Sequence, residues 1–187
     1  MIAAHRFTSS DLALMPEDGK RYEVIDGELY VTHQSSWQHQ YAATRLAQFL
    51  NEWSDKTGLG IANTAPGLIF AEDDDVAPDV VWISHSRLQN ALQEDGKLHS
   101  APELVIEVIS PGSRNANRDR QIKLKLYSRR GVQEYWILDP QQKQAEIYRR
   151  QEGSLVLIKT CLGQDVLDSP LLPDFTCSLE KLWPLSL

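Results

Sequence analysis

"APELVIEVISPGS", residues 101–113, poses the question that the rest of the chain must answer. Leu104, Val105, Ile106, Val108 and Ile109 make the short apolar run, closed by Pro111 and Gly112, that belongs in the middle of a sheet. Glu107 stands inside that run. Ionised carboxylates are almost never buried without a partner, so this strand needs something to hold a charge in the core. Upstream, "APDVVWIS" (77–84) places Asp79 directly after the rigid Pro78, at the mouth of a second strand made of Val80, Val81, Trp82 and Ile83. Taken singly, Asp79 reads as a solvated strand end and Glu107 as the partner of an arginine. Together they permit another reading, because two carboxylates on neighbouring strands of one sheet can converge on a hard divalent cation that cancels their repulsion.

Working outward, "TSSDLALMPEDG" predicts a short capped helix ended by Pro16, and "RYEVIDGELYVT" predicts a hairpin turning at Asp26-Gly27. From Ser36 to about Lys56, Tyr41, Leu46, Phe49, Leu50 and Trp53 recur at helical spacing, and Gly58 supplies the stop. "GLIFAEDDDVAPDVVWIS" reads as strand, acidic turn, strand; a second helix runs from about Asn115 to Arg130; "QEYWILDP", "QAEIYRR" and "SLVLIKT" read as three further strands. The order predicts one α/β (α+β) domain over residues 1–187: a mixed sheet flanked by helices, with an added N-terminal hairpin and C-terminal strands.

The formal net charge of -7 gives no global basic field for nucleic acid, so any phosphate-binding surface must be a local patch. Cys161 and Cys177 lack metal-ligand spacing and read as reduced, semi-buried thiols. With no leader-like or membrane-length apolar run, a soluble cytoplasmic protein is expected. The five histidines form no zinc pattern, and there is no nucleophile elbow, phosphate-binding glycine loop or dinucleotide fingerprint.

The ordered series "PD" at Pro78-Asp79, "ELVIEVISPGSR", "DRQIKLKLYSRRGVQEYWILDP" resembles the Uma-type endonuclease family of the PD-(D/E)xK, restriction-endonuclease-like superfamily, from "RYEVIDGELYV" to about Pro140. The resemblance implies a restriction-endonuclease-like core in which Asp79 and Glu107 bind Mg2+, or Mn2+, for hydrolysis of DNA phosphodiesters. In the usual pattern a lysine stands two residues after the glutamate; here that residue is Ile109. Similarity to members whose lysine has moved to the following helix leaves Lys123 and Lys125 as candidates. At 100° per residue, Asp119, Ile122, Lys123, Leu126, Tyr127 and Arg130 share one face and Lys125 lies opposite, so Lys123 points inward. Its rival role is an i,i+4 pair with Asp119, worth about 0.2–0.5 kcal/mol.

Glu23 matches a further acidic position of the family, as a fourth catalytic candidate, and reads equally as an outward polar residue of the hairpin. Asp119 reads either as an orienting partner of Lys123 or as a helix pair. His39 matches a position often filled by histidine in the family. Arg114, Arg118 and Arg120 in "SRNANRDR" form the candidate DNA-phosphate patch, or a solvated loop. A homodimer is expected from the superfamily, since cutting two strands is easiest with two sites, with Trp183 as an exposed interface residue. The alternative of a different class is a catalytically inactive nuclease fold kept as a nucleic-acid-binding or assembly module, which the acidic net charge favours and the presence of Asp79, Glu107 and Lys123 opposes.

Overall fold

The computed structural model describes residues 5–110 and 118–184; Arg114 and the expected helix start at Asn115 lie outside them. Helix α1 (Ser9–Leu12) is held by a capping box between Thr8 and Asp11. Strands β1 (Arg21–Ile25) and β2 (Glu28–Thr32) form the hairpin, and both turn residues, Asp26 and Gly27, have positive φ (54° and 74°), as a twist-matched two-residue turn requires. Helix α2 (Trp37–Thr57) starts where the Ser36 side chain accepts from the His39 amide and stops at Gly58, φ 66°.

Then come β3 (Gly60–Thr64), β4 (Leu68–Ala71), β5 (Asp74–Val76), β6 (Val80–Ser84), the short helix α3 (His85–Ala91) and β7 (Leu104–Val108). A π-helical turn, Arg118–Lys123, opens into α4 (Leu124–Arg130), which Gly131 ends in a left-handed conformation. Strands β8 (Glu134–Asp139), β9 (Gln144–Gln151), β10 (Ser154–Leu162), β11 (Val166–Ser169) and β12 (Leu172–Ser178) follow, then a 3-10 turn, Leu179–Leu182.

The strands form a six-stranded sheet of order β10-β9-β8-β7-β6-β3, a four-stranded sheet of order β2-β1-β5-β4, and the β11-β12 pair. In the large sheet only β7 and β8 run parallel, and a parallel pair needs a crossover; α4 lies on that connection. β7 occupies the middle and all five of its residues are buried. Its alternation splits the core. Leu104, Ile106 and Val108 pack with Ala42, Leu46 and Leu50 of α2 and with β11-β12. Val105 and Ile109 pack on the other face with Leu126 and Tyr127 of α4 and Ile25 of the hairpin. Glu107, in phase with Val105 and Ile109, therefore projects toward the layer that carries α4 and the small sheet.

The expected mixed α+β architecture holds, with local differences. "GLIFAEDDDVAPDVVWIS" contains three strands rather than two: the acidic run supplies β5, whose Asp74 is wholly buried and held by Arg129 and Arg130. Strand β3, helix α3 and the β11-β12 pair lie in stretches without a marked apolar period. Trp183, expected on the surface, is 7% exposed and packs in the α2 core, so it offers no exposed interface. Exposed apolar side chains instead gather on β10, at Val156, Leu157, Ile158 and Leu162. Cys161 and Cys177 are buried free thiols. Among the described residues no helix is long and apolar enough to cross a membrane.

Candidate active site

β6 and β7 pair antiparallel with Val80 opposite Ile106, and one step further the same register sets Asp79 level with Glu107. Pro78 cannot donate to a ladder, so β6 begins only after it and Asp79 sits at its mouth. There Asp79 is locked from three sides. Its Oδ2 accepts from the Val108 amide at 2.9 Å and from His39 Nε2 at 3.0 Å, and its Oδ1 accepts from Arg21 Nη1 at 2.9 Å. The arginine and the imidazole outweigh the opposing effect of burial and hold the Asp79 carboxyl well below the usual range.

Glu107 receives its charge partner from the helix side. Its Oε1 accepts from Lys123 Nζ at 2.8 Å and from the Tyr127 hydroxyl at 2.7 Å. Lys123 Nζ also donates to Glu23 Oε1 at 2.9 Å, and the same oxygen accepts from the Ala77 amide at 3.0 Å. Lys123 and Glu23 are fully buried and Glu107 is 2% exposed, so an ammonium bridges carboxylates of two different sheets inside the protein. Lys125, two residues on, is exposed.

Of the four side chains nominated from the sequence, Glu23, Lys123 and Glu107 are joined by hydrogen bonds, and Asp79 lies level with Glu107 on the neighbouring strand with partners of its own. Asp119 is buried beside them but pairs with Arg118, Nε to Oδ1 at 3.2 Å, and not with Lys123. The polar outward role for Glu23 is overturned. The i,i+4 role for Lys123 is also overturned, because the lysine reaches β1 and β7 instead. Arg120 is held by Glu146 at 2.7 Å and Asp139 at 3.4 Å, so Arg118 and Arg120 serve internal carboxylates.

Charge in this cluster is uneven. Burial, reinforced by Asp79, Asp119 and Glu23, pushes the Glu107 carboxyl up to about 8 despite the pull of Lys123. Glu23 is held low: burial opposes its charge, but Lys123 and Arg118 prevail. Lys123 is raised, its three carboxylate neighbours overcoming desolvation. Among the described residues, Glu23 Oε2 is buried with no hydrogen-bond partner.

Two participants escaped the sequence reading. Arg21 stands two residues before Glu23 on β1, and the period of a strand sends both to one side; that alternation was the available signal. Tyr127 was read as apolar stripe, whereas its hydroxyl fixes Glu107. The residue four positions after an inward lysine shares its face, which would have brought the phenol to the same pocket.

A model of the family described as "Uma2: Putative restriction endonuclease" matches residues 9–180. The chain belongs to the Uma2 family. Among solved structures, this Uma2 chain is similar to one described as "a putative nuclease belonging to DUF820" from Anabaena variabilis ATCC 29413, with 18% identity and a TM-score of 0.74, over 94% of this chain and 97% of that one. At that identity the likeness speaks for a shared fold. No curated protein matches this Uma2 chain. The family match points to a nuclease, as the ordered motifs implied.

Proposed function

We propose that this Uma2 protein is a magnesium-dependent DNA endonuclease whose working residues are Asp79, Glu107, Lys123 and Glu23. The observation that carries the reading is Lys123: a lysine supplied by the helix after β7, wholly buried, with its ammonium 2.8 Å from Glu107. It takes the place of the lysine missing at Ile109.

The donor set fits a hard cation. Asp79 and Glu107 offer carboxylate oxygens from adjacent strands, and among the described residues Glu23 Oε2 is a buried acceptor with no partner. Among the described residues no three His, Cys, Asp or Glu side chains form a ready metal cage. Magnesium is commonly held by one or two carboxylates with waters and substrate phosphate. Asp79 and Glu107 would hold it, and Mg2+ or Mn2+ there supplies the Lewis acidity that polarises a phosphoryl oxygen and acidifies water.

The chain's own residues provide the rest. Lys123, fully buried between two carboxylates, is a preorganised positive charge for the phosphate as negative charge develops on it. Glu23 sets the position of that ammonium. Tyr127 occupies Glu107 Oε1 and so fixes the carboxylate plane. The Val108 amide does the same for Asp79. A homodimer belongs to the same reading, since paired sites suit a duplex.

The test is cleavage of supercoiled plasmid by wild type and by Asp79→Asn, with Mg2+, with Mn2+ and with EDTA. Nicking that needs metal and disappears in Asp79→Asn is expected. Absence of cleavage on duplex, single-stranded and branched DNA alike, with metal present, would favour the inactive binding module instead.

A further inference from the structure

Arg118 and Arg120 are taken up by internal carboxylates, which turns attention to the cations that are not. Among the described residues six lysines and arginines enter no ion pair: Arg45, Lys56, Lys125, Lys143, Arg150 and Lys181. Three of them, Arg45, Lys143 and Lys181, line one open cleft of about 590 Å³, together with Tyr41, Glu180 and Trp183. Lys143 and Lys181 are exposed. The Arg45 guanidinium lies 4.6 Å from the centre of the Phe49 ring and donates to Gln48. In a chain of net charge -7 this is a concentration of unspent positive charge.

The topology puts the cleft at the end of the sheet that carries the candidate site, on the α2 face from which His39 reaches Asp79, while Glu107 projects to the opposite face. β8 runs parallel to β7 with Leu138 beside Val108, so the β8–β9 turn that holds Lys143 lies past the same strand ends as Glu107. Gln144 pairs with Leu162, which brings Gly163 and Gln164, also lining the cleft, to that end. Helix α2 joins the two places: His39, on Asp79, precedes Arg45 by six residues, a rise of about 9 Å.

We infer that the Arg45–Lys143–Lys181 cleft is a docking surface for the sugar–phosphate backbone of a nucleic acid strand that runs on from the Asp79–Glu107 site. The inference rests on the nuclease reading of that site for the direction of the strand. Two flexible ammonium groups and one guanidinium recognise phosphate charge and carry no base-edge readout, so the grip is independent of sequence. An acidic polypeptide is the less suitable occupant, because continuity with a phosphodiester-cutting site gives it no reason to be here.

The experiment is fluorescence anisotropy of a short labelled duplex in EDTA over a salt series, with wild type, the triple variant Arg45→Gln/Lys143→Gln/Lys181→Gln, and the control Lys56→Gln/Lys125→Gln. Since each neutralised phosphate contributes about 0.9 to the log–log salt slope, the triple variant is expected to flatten it by roughly 2–3 and to lose at least about tenfold in affinity at low salt. The control should follow wild type. Lys143→Glu/Lys181→Glu, both exposed and outside the core, should bind more weakly still with an unchanged urea midpoint. The surface is overturned if the triple variant keeps wild-type affinity and slope, if the control loses as much, if wild type binds no duplex, or if the triple variant loses binding to polyglutamate while keeping DNA. Because binding is read without metal, a wild type that binds through this cleft but never cuts refutes the nuclease reading alone. A triple variant that cuts and binds like wild type refutes the surface alone.

Discussion

Lys123→Met separates a central ion bridge from a helix-surface ornament. The replacement keeps most of the apolar stem and removes only the ammonium, so packing against Leu126 and Tyr127 changes little. What remains is a pair of carboxylates, Glu23 fully buried and Glu107 2% exposed, formerly bonded to one nitrogen at 2.9 and 2.8 Å. Removing one partner of a buried pair costs about 3–5 kcal/mol because the surviving charge is uncompensated. A surface i,i+4 pair would cost about 0.2–0.5 kcal/mol. Against a total of about 5–15 kcal/mol the variant should fold, but near its limit. Urea denaturation near pH 8 should show a lower midpoint at unchanged slope. Adding Glu23→Gln to Lys123→Met should recover part of the loss, since Glu23, held low in wild type, carries the stranded charge. Acidification toward about pH 5 should shrink the loss as the carboxyls take up protons. A loss below about 1 kcal/mol near pH 8, or no recovery in the double variant, would refute the bridge.

Further outcomes follow from the same geometry. In wild type, Glu107 is raised from 4.5 to about 8, so the folded state holds a proton that the unfolded chain releases; stability from this group is present below about 4.5 and is lost as pH rises to about 8, at up to about 1.4 kcal/mol per unit, as urea midpoints across pH will show. Asp79, held low, acts oppositely: its contribution is present above the ordinary carboxyl value of 3.8 and is lost in acid below it. Mg2+ should raise the thermal midpoint of wild type, with about 2.7 kcal/mol at a hundredfold excess over Kd, and should leave Glu107→Gln unmoved. Tyr127→Phe removes a buried bond to a carboxylate and should cost about 1.5–3 kcal/mol by urea titration. Asp74→Ala frees Arg129 and Arg130, each about one third exposed and able to rehydrate, so a smaller loss of about 1–3 kcal/mol is expected from the same measurement.

The legible parts of the sequence are those where a local pattern and the tertiary environment agree. Asp26-Gly27 dictates its own turn, Ser36 and Gly58 bound α2, and a carboxylate in an apolar run announces a buried partner wherever that partner is. Partner identity is another matter. Glu23 and Lys123 are a hundred residues apart, and only the stacking of the small sheet over α4 brings them together. The run "EDDD" reads locally as a solvated turn; β5 exists because Arg129 and Arg130 neutralise Asp74 from the far end of α4. Arg118 and Arg120 looked available for phosphate because Asp139 and Glu146, which hold Arg120, belong to β8 and β9. The 3.6-residue period placed Lys123 inward and Lys125 outward although Arg118–Lys123 is a π-helical turn, since the apolar residues that set the phase, Leu126 and Tyr127, lie in the regular helix beyond it.

The most direct test of the account is single-turnover, metal-dependent cleavage of one DNA substrate by wild type, Lys123→Met and Lys125→Met, each shown to be folded under the assay conditions. Loss of a transition-state charge should slow Lys123→Met by about 100- to 1000-fold. Lys125→Met, altered on the exposed side of the same helix, should cut at nearly the wild-type rate. Equal rates for the two variants, or a Lys123→Met that cuts as fast as wild type, would contradict the assignment of Lys123 to the chemistry and leave it a structural bridge between Glu23 and Glu107.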